Sequence, residues 1–310
     1  MSSFATEVRN ELSRYSIRKA CCCNAELAAL LHMGASVMIG AGMNLGLNFI
    51  TENAAVARRV LQLLKATGRV FPEVTVSRAK KLKKNNSYHL RVAPSRAVRP
   101  LMEHLGMLET DSMKAGSDKQ LLRRKCCRKA YLRGAFLGGG TVNRPEAKSH
   151  LEFVTGSYSF ARTLVHVLKN MAFPVGLTDR KNKYQIYLKD GEEIMDLLSM
   201  IGAAKTVEQL EVARNLREVR NQANRLVNCE TANLQRTVEA SVEQVAAIRY
   251  LQHQGLEKLP DRIKDMAELR LVHPYASLSE LGEMLGISRG AAASRLRKLV
   301  ARAQEAQNKE

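Results

Sequence analysis

A chain of 310 residues is long enough for two or three domains, and 49 Lys and Arg against 30 Asp and Glu give it a formal charge of +19. No apolar run reaches the roughly 18 residues of a membrane span, and the polar start Met1-Ser2-Ser3-Phe4-Ala5-Thr6-Glu7 does not read as a signal peptide, so a cytoplasmic protein with no membrane partner is expected. The charge excess suggests a polyanionic partner; because neutralised phosphates release counterions, nucleic acid, double-stranded DNA above all, is the expected one, with an acidic membrane surface as the runner-up.

Spacing of apolar residues predicts a helix over 4–15, from Phe4, Val8, Leu12 and Tyr15. A second helix is expected at 24–33, followed by strands at 37–40 and 45–50, a helix at 53–67, strands at 73–76 and 88–92, and a helix near 95–105. The polar stretch 109–119 reads as a linker. Beyond it the pattern repeats, with strands near 150–155, a helix at 157–171, a hairpin about Lys181-Asn182-Lys183 and a helix at 191–201.

Residue pairings support an internal duplication. Tyr131-Leu132-Arg133-Gly134-Ala135-Phe136-Leu137-Gly138-Gly139-Gly140-Thr141-Val142 matches 27–37 at an offset of 105, with Arg18, Cys21 and Cys22 falling on Arg123, Cys126 and Cys127. Downstream, Phe49/Phe153, Thr51/Thr155, Ala57/Ala161 and Leu64/Leu168 follow at 104. A period of about 100 residues is far longer than a solenoid repeat, so one domain of two pseudo-symmetric halves is expected. Gly134, Gly138 and Gly139 in one copy, and Ala28, Ala29, Gly34 and Ala35 in the other, suit two helices packed backbone to backbone; a glycine stop at 138–140 is the simpler alternative.

Six cysteines fall as Cys21-Cys22-Cys23, Cys126-Cys127 and Cys229. Adjacent cysteines lack the Cys-x-x-Cys spacing of a zinc site, so no metal or cofactor is expected. The repeated pairs read as small buried hydrophobes preceding each key helix. Basic hairpin tips stand at equivalent places in the two halves, with Lys80, Lys81, Lys83 and Lys84 in one and Arg180, Lys181 and Lys183 in the other. They are candidate phosphate contacts, as are Arg220 and Arg225 in the Asn/Arg-rich helix expected over 206–256, where i,i+4 spacing lines polar groups on one face.

After a hinge at 255–260, 261–272 is an amphipathic helix, Ser277-Leu278-Ser279-Glu280 a capping box, and Gly286-Ile287-Ser288 a turn into a helix over 289–300. This is a helix-turn-helix pattern. At 100° per residue Ala292, Leu296, Leu299 and Val300 face inward. The DNA-contact set then comprises Ser277, Ser288, Arg289, Gly290, Ser294, Arg295, Arg297, Lys298 and Arg302.

The twin stretches resemble the LAGLIDADG motifs of homing endonucleases. Joined to the helix-turn-helix, to Asn221-x-x-Asn224-Arg225-x-x-Asn228-Cys229-Glu230-x-Ala232-Asn233 and to Ser277-Leu278-Ser279-Glu280-Leu281-Gly282, they make nearly the whole chain similar to the WhiA family. That resemblance implies an α+β fold: a pseudo-symmetric, duplicated LAGLIDADG-like αββαββα domain (halves 1–110 and 120–218), then an all-α domain over 219–310 with its helix-turn-helix at 276–309. It further implies a nucleoid-associated, DNA-binding transcriptional regulator linked to cell division, chromosome segregation and sporulation. In the endonucleases the penultimate residue of each motif is a metal-binding acid; here Gly34 and Gly139 stand there, so no catalysis is expected. Two alternatives stay open: an adaptor binding RNA polymerase, a sigma factor, another regulator or a division protein, and a residual nuclease using Glu146, Glu152 or Asp179.

Overall fold

The computed structural model describes residues 3–78, 86–108, 121–180, 182–254, 256 and 259–308. Two compact units result, Met1–Leu216 and Arg217–Glu310. In the first, helix α1 (Phe4–Ser13) precedes the duplication. The first copy runs α2 (Ala20–Gly34), β1 (Ala35–Ile39), β2 (Leu45–Thr51), α3 (Ala54–Thr67), β3 (Glu73–Arg78), β4 (Asn86–Ser95) and α4 (Val98–His104). The second runs α5 (Lys125–Gly139), β5 (Gly140–Val142), β6 (Leu151–Thr155), α6 (Tyr158–Lys169), β7 (Gly176–Arg180), β8 (Lys183–Leu188) and α7 (Gly191–Ile201). Their antiparallel sheets share one strand order, β1-β2-β4-β3 and β5-β6-β8-β7.

The same local chemistry builds both copies. Asn53 caps α3 by accepting from the Ala55 and Val56 amides, while Ser157, 104 residues on, caps α6 by accepting from Phe160. In each copy the cap's own amide donates to a threonine hydroxyl two residues back, Thr51 or Thr155, at 3.2 Å. Strand alternation then buries Leu47, Phe49, Leu90 and Val92 in one sheet, and Leu151, Phe153, Ile186 and Leu188 in the other. The opposite faces present Asn48, His89 and Arg91, and Glu152, Gln185 and Tyr187.

The central pair is α2 against α5. A Cβ built on Gly134 would overlap the Glu26 carbonyl oxygen, and Cβ atoms on Gly138 and Gly139 would run into the Met33 side chain. These glycines therefore permit close approach, and the helix also stops at them: Gly138 and Gly139 complete α5 and Gly140 opens β5. Around them Leu27, Leu30, Tyr131, Leu132 and Phe136 are fully buried, in one core that runs from Phe4 to Ala203.

Within that core lies an ionic cluster. Fully buried Glu26 accepts from Arg59 Nε of α3 at 2.6 Å and from Arg133 Nε of α5 at 2.7 Å. Arg59 also donates to the Tyr15 carbonyl and Arg133 to that of Ile201, and the Arg133 guanidinium sits 3.8 Å from the centroid of the Tyr15 ring. One carboxylate thus fastens three helices drawn from both copies. Arg9 of α1 adds a bond to the Gly140 carbonyl at 2.8 Å.

Helix α8 (Ala204–Gln254) is a single element of 51 residues. Glu11 of α1 accepts from the Lys205 and Thr206 amides in its first turn, a carboxylate at the positive end of the helix dipole. Every residue over 214–231 is exposed, Leu216, Val219, Leu226 and Val227 included, so the stripe of asparagines and arginines lies on a helix solvated all round. The second unit continues with α9 (Asp261–Val272), α10 (Leu278–Met284) and α11 (Arg289–Gln307). Its core is Ile248, Met266, Leu281, Ala292, Leu296, Leu299 and Ala303.

Candidate nucleic-acid interface

The turn between α10 and α11 works because Gly286 adopts φ of +64°, a left-handed conformation open to glycine. Close beside it, a Cβ on Gly282 would stand 2.7 Å from the Ile287 carbonyl oxygen. Ser277 and Glu280 form the expected reciprocal capping box on α10. The Ser277 amide and hydroxyl hold the Glu280 carboxyl below its usual range. Ser288 caps α11 by accepting from the Ala291 amide at 3.2 Å. The hydroxyls of Ser277 and Ser288 are therefore engaged in capping. Ser277→Ala is expected to lower the stability of the second unit by about 1 kcal/mol, read from its thermal transition.

Helix α11 buries Ala292, Leu296 and Leu299 and half-buries Val300. It runs seven residues past the expected end at 300, to Gln307, because Ala303 continues the buried stripe. Arg289, Gly290, Arg297, Lys298 and Arg302 are exposed, while Ser294 and Arg295 are half-buried. Arg270 of α9 is the largest fully buried side chain, donating to the Pro274 and Ala276 carbonyls and so fixing the loop that leads into α10. Its buried role carried no signal in the sequence, where an arginine in an amphipathic helix reads as exposed.

In the duplicated unit, Arg180 and Lys183 face each other across the β7–β8 pair and are exposed; in the second unit, Arg220 and Arg225 are exposed on α8. Lys80, Lys81, Lys83, Lys84 and Lys181 lie outside the described residues, as do the 109–119 linker and Gly255, Glu257 and Lys258 of the hinge.

Gly34 and Gly139 end α2 and α5 next to the sheets. The three acids of the residual-nuclease alternative do not converge. Glu152 pairs with Tyr187 and Asp179 with Tyr184 across β8, so strand alternation sends them to opposite faces of the sheet. Glu152 is met by His150 at 3.3 Å, and Glu146 lines a separate open cleft of about 760 Å³ with Glu7 and Glu208.

The cysteines correct the reading made from their spacing. They do not precede the key helices but form their first turns, since α2 begins at Ala20 and α5 at Lys125. The Sγ atoms of Cys21, Cys22, Cys126 and Cys127 all lie within 4.8 Å of one another. Burial, with neighbouring thiols, pushes the Cys22 thiol up to about 12 and raises that of Cys127 as well. The signal that would have found this cluster was the offset of 105 itself, which placed both pairs at the same point of two helices expected to pack together.

Two like halves of αββαββα order, meeting through a glycine-rich helix pair and joined to a helix-turn-helix, define a LAGLIDADG-like domain coupled to a helix-turn-helix domain. Family models agree: the WhiA N-terminal LAGLIDADG-like domain matches residues 20–108, the WhiA LAGLIDADG-like domain 128–220 and the WhiA C-terminal helix-turn-helix domain 223–303. The probable cell division protein WhiA of Desulforamulus reducens is 46% identical over 91% of this chain and 88% of its own length. That of Heliobacterium modesticaldum is 42% identical over 96% and 94%. The chain belongs to the WhiA family. A crystal structure of full-length WhiA from Thermatoga maritima shares the fold, with a TM-score of 0.60 at 23% identity, covering 98% of this chain and 99% of that one. Among the described residues no helix is long and apolar enough to cross a membrane.

Proposed function

We propose that this chain is a non-catalytic, sequence-specific DNA-binding transcriptional regulator acting in cell division, with chromosome segregation and sporulation as the processes it serves and the cytoplasmic nucleoid as its place of action. The observation that carries the reading is α11: an N-terminus of small residues, an inner face locked into its own core, and Arg297, Lys298 and Arg302 exposed on the other side. A helix of that make enters a major groove with its N-terminal end against base edges and its cations on bases or phosphates. The names of the relatives support the division role. Loss of both motif acids supports the absence of catalysis, because hydrolysis of a phosphodiester between two metal ions needs carboxylates that hold them there.

The duplicated domain adds phosphate contacts through its hairpin tips in this reading. The test is binding of the full chain to genomic fragments over a salt series. Sequence-selective binding with a steep negative salt slope is expected, and Arg180→Ala with Lys183→Ala is expected to flatten that slope by about 0.9 log units per lost phosphate contact. An unchanged slope removes the hairpin from the interface, and binding without sequence preference rejects the regulator.

A further inference from the structure

The four clustered thiols occupy a place where negative charge is wanted. Helices α2 and α5 both begin there, and their N-cap residues, Lys19 and Arg124, give no side-chain acceptor to the first-turn amides. Two positive dipole ends therefore meet at one point, which disfavours the packing unless an anionic group lies between them. Arg18, Lys19, Arg123, Arg124, Lys125 and Arg128 crowd the same two segments, and Arg124 donates to Cys21 Sγ at 3.9 Å. Neutral thiols do nothing to offset this accumulation of positive charge; thiolates on a cation do.

Geometry supplies the rest. A tetrahedral site with metal–sulfur bonds of about 2.3 Å has its sulfurs about 3.8 Å apart. Here Cys126 and Cys127 Sγ are 4.0 Å apart and all four sulfurs lie within 4.8 Å, so closure needs side-chain adjustments of about 1 Å or less. Cys22 and Cys127 are 8% and 2% exposed, whereas Cys21 and Cys126 are half-buried, which leaves a wet side through which an ion can enter. Each copy contributes one adjacent pair, and neither pair alone holds a full ligand set. Among the described residues this is the one cluster of metal-ligating side chains that gathers three or more members.

We propose that Cys21, Cys22, Cys126 and Cys127 bind one thiophilic divalent cation of the zinc type, clamping the first turns of α2 and α5 across the pseudo-twofold axis. As each metal–sulfur bond forms, the corresponding S–H bond breaks and its proton passes to solvent; no electron is transferred. A divalent ion with four thiolates carries a net charge of −2, which answers the two helix ends and the surrounding arginines. The clamp stands twelve residues along the helices from Gly34 and Gly139, roughly 18 Å away, so it is a structural site separate from the ancestral catalytic positions.

The experiment titrates Co²⁺ into the full, reduced, chelator-stripped chain without oxygen, with Zn²⁺ as competitor. One Co²⁺ per chain, the thiolate-to-cobalt charge-transfer absorption and strong d–d bands of tetrahedral coordination, and displacement by Zn²⁺ are expected. Cys22→Ser and Cys127→Ser are each expected to weaken binding by more than the roughly 100-fold that loss of an outer-shell partner causes, whereas Cys23→Ala and Cys229→Ala leave it unchanged. Unaltered far-ultraviolet dichroism of the serine variants shows that the chain has folded. Stoichiometric uptake that survives in the Cys22→Ser, Cys127→Ser double variant overturns the proposal. So does failure of the native chain to take up cobalt stoichiometrically, including the case in which these thiols are found joined as a disulfide after anaerobic purification.

Discussion

Glu26→Gln is expected to lower the stability of the duplicated unit by about 3–5 kcal/mol. Glutamine keeps the volume and one acceptor but removes the charge. Arg59 and Arg133, 6% and 3% exposed, would then be two guanidinium ions in the core with only carbonyl oxygens and the Tyr15 ring as partners. Breaking one end of a buried ion pair is far worse than replacing the whole set, because the surviving charge keeps its desolvation penalty without its Coulombic return. The triple variant Glu26→Met, Arg59→Met, Arg133→Met is accordingly expected to be much closer to the native chain than Glu26→Gln alone. Urea unfolding followed through the transition of the duplicated unit reads both; a loss below about 1 kcal/mol for Glu26→Gln would show that the arginines find other solvation.

Arg295→Ala, Arg297→Ala and Lys298→Ala combined are expected to reduce specific DNA affinity at fixed salt by at least about 100-fold, and to flatten the salt slope by about 0.9 for each of the three that meets a phosphate. Alanine is the best helix former, and Arg297 and Lys298 are exposed, so α11 keeps its register on Leu281, Leu296 and Leu299. Affinity is then lost from the interface and not from the fold. Retained thermal stability together with retained binding would place the DNA contact somewhere other than α11.

Much of this architecture was legible because its signals are local or repeated. The capping box at Ser277 and Glu280, the glycine of the α10–α11 turn and the strand alternation about Phe49 and Phe153 each follow from short-range chemistry. The duplication multiplied weak signals into a register of 104 to 105 residues. What stayed hidden depends on contacts that no local pattern encodes. Glu26 sits in an apolar helix with no sign of its partners, which lie 33 and 107 residues away. Cys21 and Cys126 carry no ligand spacing within either segment, because the cluster is assembled from two. The extension of α11 past Val300 rests on Ala303, a small residue near a helix end that carries little periodic signal.

Reading of DNA by α11, and the absence of cutting by the duplicated domain, can be tested together. Footprinting of the full chain on a selected genomic fragment with magnesium present, beside the variant carrying Arg295→Ala, Arg297→Ala and Lys298→Ala, tests both parts in one gel. A discrete protected site that disappears in the variant, on DNA that stays intact, is the expected result. Protection that persists in the variant, or strand cleavage that requires magnesium, would contradict it.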